Sequence, residues 1–107
     1  RNLNMYVIQP LKPLKFWQQL YILLFTEGKE YTEDGITYYI LRESEIQKKL
    51  NLKHWWWTRK FEIWQTNIKK DYIKIKKDGV YLGVRKERVI SGIESMKRLG
   101  LIKVIEV

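Results

Sequence analysis

The chain has no cysteine, which excludes disulfide bridges, thiolate metal sites and a cysteine nucleophile. It also has no alanine, a single histidine (His54), two prolines and only three aspartates. Two of those aspartates, Asp34 and Asp78, each precede a glycine in turn-forming sequence, and the glutamates are scattered. No phosphate-binding glycine loop and no spacing of metal ligands occurs. The pattern offers no catalytic residue, metal site or cofactor, so the expectation is a protein that is not an enzyme. The longest apolar run, Leu20 to Phe25, is far too short to span a bilayer. No secretory leader is visible either, which sets a cytoplasmic location with no membrane partner as the expectation.

What the chain does have is positive charge. Its 107 residues carry a formal net charge of +9, and that charge is concentrated. Residues 42–88 hold 14 Lys and Arg against 6 Asp and Glu, whereas the rest holds 7 against 6. A polyanion partner is the simple reading, and a lysine-rich solvated surface is the bland one. Hydrophobic residues make up 45% of the chain, enough for one modest core and one domain over residues 1–107. The abundance of Lys, Ile, Leu and Tyr fits an AT-rich genome, the Lys, Glu and Ile weighting would also suit a thermophile, and neither identifies a function.

Met5 to Ile8 reads as a short strand or an arm. Pro13 suits the first turn of a helix over 13–26, in which Phe16, Trp17, Leu20, Tyr21, Leu24 and Phe25 spread over more than one face. Val89, Ile93 and Met96, with Ile90 beside them, give a second apolar helix over 86–99. Such an excess of apolar surface predicts a homodimer, unless the amino-terminal arm and the final strand, Leu101 to Val107, cover it within one chain. Asp34-Gly35 lies between two β-prone runs and predicts a hairpin over 29–41.

The densest information lies in 42–70. Ser44 and Gln47 form a capping-box pattern for a short helix with Ile46 and Leu50 on one face. Asn51 suits the left-handed helix end. Trp57, Phe61, Trp64 and Ile68 then recur at i, i+4, i+7 and i+11, one face of a second helix. The run from Ile46 through Leu50, Asn51, Leu52, Trp57 and Phe61 to Trp64 resembles the helix-turn-helix of winged-helix DNA-binding proteins. The segment Asp71 to Val84, a basic alternating hairpin around Asp78-Gly79, resembles their wing. The implied fold is α+β, a winged helix-turn-helix of three to four helices, with the helix-turn-helix at 44–69, the wing at 71–84 and a carboxy-terminal helix at 86–99.

The resemblance implies binding of double-stranded DNA, by a transcription regulator or by a replication-initiation or partition protein of a plasmid, virus or other mobile element. The Leu-rich first helix, the Asp-Gly hairpin and the second helix are also distantly similar to the amino-terminal domains of phage-type replication proteins. Opposite the buried helix face stand Trp55, Arg59, Glu62 and Thr66. Arg59 is the first candidate base reader, with His54, Trp55, Thr58 and Glu62 beside it. Lys53, Lys60, Lys69, Lys70, Lys74, Lys76, Lys77 and Arg85 are candidate phosphate contacts. Lys74 and Lys76 alternate with Ile73 and Ile75, which turns the lysines to solvent or phosphate and away from the core.

Two alternatives stay open. The segment 86–104 also resembles a recognition helix followed by a wing strand, which would make 53–84 an insertion. Trp55, Trp56 and Trp57 cannot share one helix face, so with Trp57 in the core an exposed Trp55 or Trp56 can stack on unpaired bases or anchor a protein partner, or both of these can pack under the hairpin or on the Tyr38-Tyr39 strand.

Overall fold

A computed structural model describes residues 6–51, 59, 62, 65, 66, 68 and 70–106. They form an α+β structure with three continuous helices and six strands in two antiparallel sheets. The order is β1 (Tyr6–Pro10), α1 (Phe16–Glu27), β2 (Lys29–Glu33), β3 (Ile36–Arg42), α2 (Glu43–Leu50), β4 (Tyr72–Lys76), β5 (Val80–Arg85), α3 (Lys86–Arg98) and β6 (Ile102–Glu106). Between α2 and β4, Arg59, Glu62, Gln65, Thr66 and Ile68 are all helical.

The larger sheet runs β2-β3-β5-β4. Asp34 and Gly35 both take positive φ, 53° and 78°, the backbone twist that a two-residue hairpin requires. β5 returns to pair with β3, Leu41 opposite Leu82, which ties the second hairpin to the first. Partners across antiparallel strands share a face. On one face Tyr39, Leu41, Leu82, Val84 and Tyr72 meet Leu20, Leu24, Ile46, Val89 and Ile93 of the helices, forming the core. The other face carries Tyr31, Ile40, Ile73, Ile75 and Tyr81, all partly exposed, and Tyr38, which is buried.

Several expected boundaries move. The first helix begins at Phe16, and Pro13 lies before it. Its amino-terminal end is held by the Gln18 Oε1 atom, which accepts the Lys15 N–H at 2.8 Å. Ser44 does not cap α2. β3 stays paired as far as Arg42, opposite Tyr81, and the chain passes straight from strand to helix at Glu43. Gln47 then meets the Glu43 carboxylate at 3.4 Å instead of closing a capping box. Asn51 adopts φ 53° and ψ 46°, the left-handed helix end its side chain favours.

β1 and β6 form the second sheet, from Tyr6 opposite Glu106 to Pro10 opposite Ile102. Ile8, Ile102 and Val104 of this pair join the core with Phe25 of α1. The amino-terminal strand and the final strand therefore cover much of the apolar surface of α1 and α3 within one chain. Ile90 remains exposed.

Candidate nucleic-acid interface

The β4–β5 hairpin concentrates positive charge by register. Lys74 and Lys76 are exposed, as is Lys77 in the turn, and none of the three makes an ion pair with a described residue. Lys74 lies opposite Leu82 and Lys76 opposite Val80, so these two lysines share the core-bearing face of the sheet, and Ile73 and Ile75 take the other. The lysines are exposed as expected, but on the sheet face that also carries Leu82. β4 is the edge strand, and side chains toward its end escape burial even on the helix side.

The hairpin is braced by a contact with no local signature in the sequence. Arg42, at the end of β3, donates from Nη1 to the Asp78 carbonyl at 2.8 Å and from Nη2 to the Tyr81 hydroxyl at 2.6 Å. Its guanidinium carbon lies 4.8 Å from the Tyr81 ring centroid. Gly79 has a φ of 107°, and a β-carbon there would strike the Arg42 Nη1 atom. The turn geometry favours glycine at 79, and a larger residue there would also displace the Arg42 guanidinium from its brace.

Just before the hairpin, Lys70 is exposed and Ile68 is buried. Arg59, Glu62 and Thr66 are exposed, so the described part of this helical stretch has the sidedness its spacing predicts. The Thr66 hydroxyl donates to the Glu62 carbonyl at 2.8 Å. Lys53, His54, Trp55, Thr58, Lys60 and Lys69 lie outside the described residues, as do Trp56, Trp57, Phe61 and Trp64.

Arg85 stands apart from the exposed lysines. Its backbone N–H donates to the Asp71 carbonyl at 2.8 Å, and its guanidinium lies 3.9 Å from the Asp71 carboxylate and 4.0 Å from that of Glu87. Asp71 also accepts from Arg88 Nη1 at 2.9 Å, while Arg88 Nε donates to the Tyr21 hydroxyl at 2.9 Å. Burial works against the charge on Arg88, but the bonds to Tyr21 and Asp71 outweigh it and raise the guanidinium pKa. This network locks α1, α3 and the start of the hairpin together. Its members are too far apart in sequence for any local pattern to reveal it.

On α3, Val89, Ile93 and Met96 are buried, and Gly92 lies against the Tyr21 ring. α3 is thus packed on α1, and β6 pairs with β1 and not with a wing strand.

Comparison with family models, with curated proteins and with solved structures returns no match to this chain. No helix among the described residues is long and apolar enough to cross a membrane.

Proposed function

We propose that this is a winged helix-turn-helix module that binds double-stranded DNA, reading bases from the helical stretch containing Arg59 and holding phosphates with the β4–β5 hairpin. The observation that carries the reading is the row of exposed, unpaired lysines at 74, 76 and 77 on a hairpin that directly follows this stretch. The strand order β3-β5-β4, with α2 between β3 and the helical residues, is the order a winged helix would use. It supports 44–69 over 86–99 as the reading unit, because Arg88 of α3 is committed to Tyr21 and Asp71. A transcription regulator is the first biological role, and replication initiation or partition on a mobile element is the second. Genomic context distinguishes them.

The test is a binding series on duplex DNA. Each phosphate neutralised releases counterions, so about six contacts should lower affinity roughly a thousandfold between about 50 and 200 mM salt. Replacing Lys74, Lys76 and Lys77 together by Ala should weaken all duplexes alike and flatten the salt slope. Arg59→Ala should instead cost about 1–3 kcal/mol on a preferred site and relax its sequence preference. No duplex binding at low salt ends the reading.

A further inference from the structure

The outer face of the four-stranded sheet is not the one that carries Lys74 and Lys76, although Arg42 and Tyr81 on it brace their hairpin. It is nevertheless apolar and aromatic. The partly exposed Tyr31 lies opposite the buried Tyr38, Ile75 lies opposite Tyr81, and Ile40 and Ile73 flank Gly83. A β-carbon at Gly83 would stand 2.5 Å from Ile40 Cγ2 and 3.0 Å from Ile73 Cγ2, so the glycine lets these two side chains close over the strand. Three cations share this face, namely Lys29, Arg42 and Arg85. Glu33, whose carboxylate accepts the Tyr31 hydroxyl at 2.8 Å, is the acidic residue on its β2 edge.

This combination narrows the occupant. Four strands of five to seven residues present a face roughly 15–20 Å on a side. That is on the order of 300–400 Å², about half of what one partner contributes to a standard stable interface. Stacking the face on a second copy would also bring Lys29 and Arg42 against another set of cations, while Arg85 is already paired with Asp71 and Glu87. The fitting partner is anionic, offers flat apolar groups and needs only a small footprint. Unpaired bases on a phosphate backbone meet all three conditions, since bases stack on tyrosine rings and on guanidinium planes such as that of Arg42.

We propose that the outer face of the β2-β3-β5-β4 sheet, with Tyr31, Tyr81 and Arg42 as its stacking groups, is a second nucleic-acid site that takes single-stranded DNA. Only the choice of DNA over RNA rests on the duplex reading.

The experiment is fluorescence anisotropy with a labelled oligothymidylate about 12 nucleotides long, on the full chain at low salt, beside a duplex of similar length. The wild type should bind the single strand. Tyr31→Ala should weaken that binding roughly tenfold and leave duplex affinity unchanged, and Tyr81→Ala should weaken it by a similar factor. Tyr81→Phe, which keeps the ring but loses the hydroxyl that accepts from Arg42, should retain more of the binding than Tyr81→Ala, and circular dichroism confirms that each variant is folded. Joint replacement of Lys74, Lys76 and Lys77 by Ala should do the reverse, losing duplex more than single strand, so the two readings can fail separately. The proposal is overturned if the wild type does not bind the oligonucleotide, or if folded Tyr31→Ala and Tyr81→Ala bind it as tightly as the wild type. Tighter binding to oligouridylate overturns the choice of DNA. A dimer in light scattering that Ile73→Glu dissociates would give the face to a second copy instead.

Discussion

Arg42 shows how one side chain can fix an element that its neighbours in sequence do not specify. It spans from the end of β3 to the turn of the next hairpin, 36 residues away, with a charge-assisted bond to the Asp78 carbonyl and a second to the Tyr81 hydroxyl. Hydrogen bonds to a charged donor contribute about 1.5–3 kcal/mol each, less where water competes, and this arginine is partly exposed. Arg42→Ala should therefore cost about 1–3 kcal/mol in urea unfolding, and amide exchange in Lys77–Gly79 should rise more than elsewhere. An unchanged midpoint would mean that the hairpin stands without its brace. Tyr72 makes a prediction of opposite pH sense to that of a carboxylate. Burial, with the nearby charge of Glu43, raises the pKa of its hydroxyl well above the usual tyrosine value. The folded state then prefers the protonated phenol, so the stabilisation is complete below about pH 10 and is lost as pH rises beyond it. Tyr72→Phe should shift the alkaline unfolding transition upward in a pH titration followed by circular dichroism. If the transition stays in place, other groups control it.

The elements were legible where local chemistry sets them. Asp34-Gly35 and Asp78-Gly79 turn two hairpins because those residues tolerate positive φ, and Asn51 ends α2 for the same reason. The stripe Val89, Ile93 and Met96 is buried as its period requires. What failed was local inference overruled by strand pairing. Ser44 looks like a cap only if Arg42 and Glu43 are loop, and the ladder between Arg42 and Tyr81 removes that loop. Lys74 looks outward because it alternates with isoleucine. Period alone cannot say which of two faces carries the core, and the partner Leu82 decides it. The apolar outer face of the sheet was invisible for this reason, since its residues come from four strands. Gly83 tests the packing of that face. A β-carbon would meet Ile40, Ile73 and, at 2.9 Å, the Tyr39 carbonyl, which cannot swing aside as a side chain can. Gly83→Ala should cost about 1–3 kcal/mol, and each kcal/mol should lower the melting temperature by about 4–8 °C in a domain of this size. A melting temperature at or above that of the wild type would show that the sheet yields.

At the scale of the whole molecule, the two ends of the described chain close the fold. β1 and β6 pair only with each other, and a two-stranded sheet is marginal by itself in water. Its persistence must come from packing, and the burial pattern says where. Ile102 is 3% exposed and sits in the core with Met96 and Leu20, whereas Ile105 on the opposite face of the same strand is 38% exposed. The two residues have the same side chain, the same strand and nearly the same β-propensity, so they form an internal control. Ile102→Ala should cost about 2–5 kcal/mol through lost burial and the cavity left behind. Ile105→Ala should cost about 0.5 kcal/mol or less. Because Ile102 joins the core cluster that also contains Leu82 and Val84 of the larger sheet, its loss should lower one cooperative transition and not create a second. Thermal unfolding followed by far-ultraviolet dichroism and by tryptophan fluorescence would show this as coincident curves at a reduced midpoint. Divergent curves would make the β1–β6 pair an independent unit laid on the fold, and equal losses at 102 and 105 would mean that the strand contributes through its backbone ladder instead of through the core.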